Sequence, residues 1–213
     1  MHFLSETLQE YITSHSEDEP SYLTELSRET HLKVIQPRMI TGHYQGRVLS
    51  MLSKIIGPGN ILEIGTYTGY SALCLAEGLA PNGKLYTIDI NEELAWIQNK
   101  YFDKAGFSDR IKQYTGDALD IIPSLDLQFD LVFIDAEKKE YVRYFEAILS
   151  KTRKGSIILS DNVLWSGKVV EPVEANDKAT KALIEYNQML KEDPKVETVM
   201  LPIRDGLTLS RVL

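Results

Sequence analysis

Acidic side chains stand at the ends of successive apolar runs in this chain: Glu63, Asp89, Asp117, Asp135 and the pair Asp161 and Asn162. In an open α/β sheet, ligands bind beyond the carboxyl ends of the strands, so these residues are expected around one cleft. Asp135, Asp161 and Asn162 come from two strand ends expected to be adjacent. Two carboxylates and an amide oxygen suit a hard divalent cation, with water or substrate oxygens completing an octahedron. The same residues could instead cap a helix and make a turn. Neither cysteine nor histidine joins them, so zinc is not expected. Lys138 follows Asp135 by three positions, which puts both on one helical face. An ammonium beside a dication has a lowered pKa and suits a general base; the alternative is a solvated surface lysine beside Lys139.

The stretch Asn60-Ile-Leu-Glu63-Ile-Gly65-Thr-Tyr67-Thr-Gly69-Tyr-Ser71 adds a binding element. A short apolar strand feeds a helix through glycines, which brings backbone N–H groups and a helix N-terminus up to a ligand. Asp89, ending the next apolar run, can accept hydrogen bonds from both hydroxyls of a ribose. A nucleoside-bearing cofactor is therefore expected. The spacing Glu-x-Gly-x-x-x-Gly lacks the third glycine of a dinucleotide fingerprint, which argues against NAD. No Gly-Lys-Ser/Thr follows, which excludes a phosphate-binding P-loop.

The elements that must position these residues alternate from residue 60 onward. Strands are expected at 61–64, 85–89, 111–115, 131–135, 156–160, 196–201 and 207–212, with helices at 71–77, 92–105, 138–150 and 179–191. Such alternation predicts an α/β fold: a mostly parallel seven-stranded sheet with helices on both faces. Only 202–206 joins the last two strands, too little for a crossover helix, so they should form an antiparallel hairpin. Residues 1–58 read as a helical N-terminal extension with helices at 3–15, 22–31 and 42–56. Residues 59–213 are the cofactor-binding and catalytic core, and 1–213 is taken as one domain. The extension would lid the cofactor or form part of a dimer interface.

Bulk properties narrow the class. A net charge of −8 argues against a broad polyanion-binding surface. No apolar run reaches the length of a membrane span, and residues 1–30 carry Glu and Asp where a signal peptide would be basic and then apolar. The single cysteine, Cys74, sits in an apolar pattern and reads as core filler. Histidines at 2, 15, 31 and 43 lack zinc-ligand spacing. A cytoplasmic protein that enters no membrane is expected.

The ordered motifs Glu63-Ile-Gly65-Thr-Tyr67-Thr-Gly69-Tyr-Ser71, Tyr-Thr-Ile-Asp89, Gly116-Asp117-Ala118, Phe-Ile-Asp135-Ala-Glu-Lys138-Lys-Glu-Tyr141 and Ser-Asp161-Asn162-Val-Leu-Trp165 resemble one family. It is the cation-dependent class I O-methyltransferases, the group holding catechol and caffeoyl-CoA O-methyltransferases and many bacterial homologues. The resemblance runs from about Arg38 to the C-terminus, including Asp205-Gly206-Leu-Thr-Leu.

The resemblance implies a Rossmann-like class I methyltransferase domain that uses S-adenosylmethionine. Met39 and Thr41 would line its pocket, and Glu63, Gly65, Tyr67 and Ser71 would surround the methionine part. Asp89 would bind the ribose; Asp117 and Ala118 would border the adenine. Asp135, Asp161 and Asn162 would hold Mg²⁺, with Mn²⁺ or Ca²⁺ as alternatives. Lys138 would be the base, beside Asp135. The family commonly has Asp where this chain has Glu137.

The implied reaction is O-methylation of vicinal hydroxyls on a catechol-like or caffeoyl-like phenol. Trp165, after Asp161-Asn162, is placed either as an aromatic wall for a planar substrate or as ordinary loop packing, and Arg38, His43, Tyr44 and Arg204 lie either near the mouth or in surface or interface roles. The loop 166–176 would help select the substrate. A homodimer is also implied. Alternatives are methylation of a hydroxylated uridine in transfer RNA, which the acidic balance disfavours, and a non-catalytic S-adenosylmethionine-binding module.

Overall fold

The computed structural model describes residues 5–213, so His2 and the first two residues of the helix expected at 3–15 lie outside the described residues. The apolar runs form β1 (Asn60–Ile64), β2 (Lys84–Asp89), β3 (Ile111–Thr115), β4 (Phe129–Ile134), β5 (Thr152–Asp161), β6 (Val196–Leu201) and β7 (Leu207–Val212). They make one sheet in the order β3-β2-β1-β4-β5-β7-β6. The pairs among β1 to β5 are parallel, and β7 runs antiparallel to both β5 and β6, the expected hairpin.

Register is what assembles the cleft. Ile64 lies opposite both Ile88 and Ile134, and Ile134 lies opposite Ser160. The next residues, Gly65, Asp89, Asp135 and Asp161, therefore emerge from four neighbouring strands at one level. The strand order reverses between β1 and β4, the position where an open sheet leaves a crevice.

Alternation along each strand feeds two cores. Ile61, Leu131, Phe133 and Leu159 pack toward α2 (Ser21–Lys33), α3 (His43–Ile56), α4 (Tyr70–Ala76) and α5 (Ala95–Lys104), using Leu26, Leu49, Leu73 and Phe102. Leu62, Val132 and Ile158 face α6 (Ala118–Ser124), α7 (Tyr141–Leu149) and α8 (Lys178–Glu192) through Ile122, Phe145 and Leu183. The first described helix, α1 (Glu6–Ser14), buries none of its residues.

Side-chain networks hold the N-terminal helices to the core. Glu77 accepts hydrogen bonds from Arg47, Ser50 and Lys54 of α3. Burial raises its pKa, but those three donors outweigh it and hold the carboxyl near 2. Tyr101 on α5 donates to Glu29 of α2 at 2.7 Å.

Several expected boundaries shift for local reasons. The 138–150 helix begins as a 3₁₀ turn, Lys138–Glu140, because the Glu137 side chain caps the Lys139 N–H before α7 starts. The 92–105 helix likewise opens on a 3₁₀ turn, with the Asn91 side chain accepting from Glu93 N. α6 was not expected; its signal was the capping Asp117, masked by Pro123 inside a short helix. β4 stops at Ile134, one residue short of Asp135, and β5 begins four residues early across a register shift against β4. Among the described residues no helix is long and apolar enough to cross a membrane.

Candidate active site

The β1–α4 turn is built to approach β4. Gly65 has φ +99°, and a Cβ there would lie 2.0 Å from the Asp135 carbonyl oxygen, so only glycine fits. Asp89 braces the turn from the neighbouring strand. Its Oδ2 accepts from Thr66 N at 3.0 Å and Tyr67 N at 2.7 Å, and its Oδ1 accepts from Asn91 N at 2.9 Å. The residue expected to face a ribose thus also shapes the glycine turn. Asp117 similarly caps α6 through Leu119 N at 2.8 Å.

Above the strand ends lies a cavity of about 1270 Å³. Its walls include Arg38, Met39, Thr41, Gly65, Tyr67, Ser71, Asp89, Asp117, Ala118, Asp135, Lys138, Asp161, Asn162 and Trp165. Of the residues singled out for cofactor, cation or catalysis, Glu63 alone is not on the wall; it is fully buried behind Ile64 and Gly65. Its Oε2 accepts from Thr87 at 2.6 Å, whereas Oε1 is buried with no hydrogen-bond partner. Burial pushes its pKa to about 8, against the opposing pull of the Ser71 and Thr87 hydroxyls, with Asp135 and Asp89 adding repulsion. An unpaired carboxylate oxygen behind the wall favours, through its charge and not by contact, a cationic ammonium on the cavity side of the glycine turn, of the kind an amino-acid-bearing cofactor carries.

At the β4 and β5 ends, Lys138 Nζ donates to Asp135 Oδ1 and to the Tyr141 hydroxyl, both at 2.9 Å. The Tyr141 hydroxyl in turn donates to the Asp161 carbonyl oxygen at 2.9 Å. The Lys138 side chain is only 11% exposed, so it is not the solvated lysine that its neighbour Lys139 is. Asp161 is buried, and burial together with repulsion from Asp135 raises its carboxyl to about 7. Two mutually repelling carboxylates beside an amide are a donor set that a hard cation would relieve. Among the described residues no group of three or more His, Cys, Asp or Glu side chains is placed to hold a metal ion. A cation here would rest on two carboxylates and Asn162, whose backbone is left-handed at φ +59°.

A family model described as O-methyltransferase matches residues 13–213. The chain belongs to this O-methyltransferase family. Caffeoyl-CoA O-methyltransferase 5 of Nicotiana tabacum is 37% identical over 220 residues, covering 97% of this chain and 91% of that protein. The caffeoyl-CoA O-methyltransferase of Petroselinum crispum is similar to the same extent, at 37% identity, with coverage of 97% and 91%. An O-methyltransferase from Bacillus cereus in complex with SAH matches the fold with a TM-score of 0.90 at 30% identity, covering 97% of both chains. The O-methyltransferase TomG from Streptomyces achromogenes, involved in tomaymycin synthesis and in complex with SAM, gives 0.88 at 31% identity, covering 97% and 96%. This chain is a class I, S-adenosylmethionine-dependent O-methyltransferase.

Three contacts in the methyltransferase escaped the sequence reading. Gln45, 1% exposed, donates from Nε2 to Asp161 Oδ2 at 2.7 Å, while its Oε1 has no partner. Its signal was a polar residue on the buried face of α3, in step with Leu49 and Ser53. Tyr141 links Lys138 to β5. Arg204, on the cavity wall, donates through Nη1 to the carbonyls of Ile40, at 3.1 Å, and Thr41. Two residues named for the mouth lie elsewhere: His43 bonds the Glu17 carbonyl at 2.8 Å, and neither it nor Tyr44 is on the wall.

Proposed function

We propose that this O-methyltransferase methylates one of two adjacent hydroxyls on a small catechol-like or caffeoyl-like phenol, using a divalent cation held by Asp135, Asp161 and Asn162. The observation that carries the reading is the juxtaposition of Lys138, Asp135 and Asp161 on one cavity wall, with Lys138 Nζ 2.9 Å from Asp135. The similarity to proteins named caffeoyl-CoA O-methyltransferase supports the acceptor class.

A phenol with a pKa near 10 is a weak nucleophile at neutral pH. When bound, S-adenosylmethionine supplies an electrophilic methyl and the cation supplies charge that favours the ionised hydroxyl. Lys138 is placed to take the hydroxyl proton at Nζ, with Asp135 beside it to stabilise the ammonium. Tyr141 fixes Nζ through its hydroxyl, and Asp135 and Asp161 orient the cation. The glycine turn with Tyr67 and Ser71 would hold the methionine end of the donor, with the Glu63 charge behind it, Asp89 the ribose, and Asp117 with Ala118 the adenine. Trp165 stacks on the acceptor ring, and Arg38 lies at the mouth. Residues 5–58 belong to the same domain as 59–213, and 33–41 among them cover the donor.

The test is transfer of labelled methyl from S-adenosylmethionine to a catechol acid, a caffeoyl thioester, a flavonoid with adjacent hydroxyls and bulk transfer RNA, each with Mg²⁺ and with EDTA. Catechol labelling that EDTA abolishes is expected. Equal labelling in EDTA would overturn the cation, and labelling of RNA alone would replace the acceptor.

A further inference from the structure

The segment between α2 and α3, residues 34–42, crosses the cavity as a strap and contributes Arg38, Met39 and Thr41 to its wall. Its burial is uneven: Ile35 and Met39 are 86% and 62% exposed, whereas Ile40 is buried in the core and Val34 packs against it. Among the described residues, two side chains of the sheet-bearing core hydrogen-bond its backbone. The Tyr67 hydroxyl donates to the Gln36 carbonyl at 3.1 Å and is 3.3 Å from that of Ile35. The Arg204 guanidinium donates to the carbonyls of Ile40 and Thr41.

Arg204 occupies the β6–β7 turn, which is itself stitched to the opposite rim. Asp205 accepts from Ser166 N through Oδ1 and from Leu164 N through its carbonyl at 2.9 Å; the Gly206 carbonyl accepts from Val163 N at 3.3 Å. The backbone is strained on both sides of this seam, with left-handed φ at Arg204 (+48°), Trp165 (+46°) and Ser166 (+56°). Non-glycine residues hold that conformation only where the surroundings over-determine it. A single turn thus touches the donor-side strap with one side chain and the acceptor-side loop with the next.

We propose that Arg204 is a positioning residue that clamps the 34–42 strap over the donor and ties it to the 162–166 loop. It acts through the Ile40 and Thr41 carbonyls. Charge-assisted hydrogen bonds are about twice as strong as neutral ones, so a guanidinium on the carbonyls of the buried Ile40 and Thr41 is an effective latch for the exposed part of the strap that precedes them. The inference rests on the reading that Met39 and Thr41 face the donor.

The experiment is titration of the full-length protein with S-adenosylhomocysteine by calorimetry, with hydrogen–deuterium exchange across 34–42. Arg204→Ala is expected to weaken binding about tenfold, the equivalent of ~1.4 kcal/mol, and to speed exchange in 34–42 and 162–166 while other core amides stay protected. In turnover, KM for S-adenosylmethionine should rise more than KM for the acceptor. Arg204→Lys keeps the charge but loses the planar fork, so an intermediate affinity is expected; it also serves if the alanine variant does not fold. Wild-type affinity and exchange in either folded variant would overturn the clamp. Asp89→Ala separates the two levels of inference. Unchanged binding in that variant means the donor site itself is misread; lost binding there with unchanged binding in Arg204→Ala removes only the clamp.

Discussion

Gln45 Nε2 donates a 2.7 Å hydrogen bond to Asp161 Oδ2 across 116 positions of sequence. It is the side-chain donor to a buried carboxylate that Asp135 already repels. Gln45→Ala should therefore destabilise the fold by about 1–3 kcal/mol, the cost of leaving a buried acceptor unmatched. Gln45→Glu should be worse at pH 8 than at pH 6, because the added carboxylate is tolerated only when one of the group is protonated. Thermal melts of both variants at the two pH values check this; a Gln45→Ala melt equal to wild type would show the contact to be idle.

Gly65 meets the Asp135 carbonyl where a Cβ would come within 2.0 Å, at a φ of +99°. Gly65→Ala should lose roughly 1–3 kcal/mol from the backbone conformation alone, and more from the contact, because both partners are backbone. Moving β1 away from β4 also widens the cleft. Melting temperature and S-adenosylhomocysteine affinity should fall together, and a variant that loses neither would show that the two strand ends can part freely.

Lys138 is paired with Asp135, so its charge and its basicity need separate tests. Lys138→Ala should lower kcat by about 10²- to 10⁴-fold, the usual worth of a general base, with S-adenosylhomocysteine affinity nearly unchanged. Lys138→Arg keeps the positive charge beside Asp135 but cannot give up its proton at working pH. It should be as inactive as the alanine variant. Full activity in Lys138→Arg would leave Lys138 with a purely electrostatic role.

Glu63 carries a pH signature. Its carboxyl rises from 4.5 to about 8 on folding, so between those values the ligand-free folded chain binds more protons than the unfolded one. Its contribution to stability is complete below pH 4.5 and is lost as pH climbs through 8. A cationic donor end on the cavity side of the glycine turn would favour the ionised form of the carboxyl behind it, so S-adenosylhomocysteine binding at pH 7 should release a proton. Calorimetry in two buffers of different ionisation enthalpy reads that release directly. Glu63→Gln should abolish the buffer dependence, and a wild-type enthalpy independent of buffer would place the donor's charge elsewhere.

Much of this was legible in the chain because it is local. Apolar runs ending in acids mark strands whose carboxyl ends point to a crevice, and parallel crossovers bring those ends to one edge. Asp89, Asp117, Asp135, Asp161 and Asn162 accordingly share one wall, as does the lysine three residues beyond Asp135. The glycine turn after β1 was visible for the same reason: a positive φ is written into residue type. Boundaries failed where a side-chain cap set them, as Glu137 and Asn91 do.

The sequence by itself determined the seven strands, the order of motifs and the residues offered at each strand end, through hydrophobic period and turn chemistry. The tertiary structure decided which of those residues lie on the wall and which behind it. It buried Glu63 and left Asp89 on the cavity wall, turned Lys138 inward against Tyr141, and brought Gln45 to Asp161 and Arg204 to Thr41. Burial and charge proximity depend on every element packed around a group, so neither can be read from residue spacing along the chain.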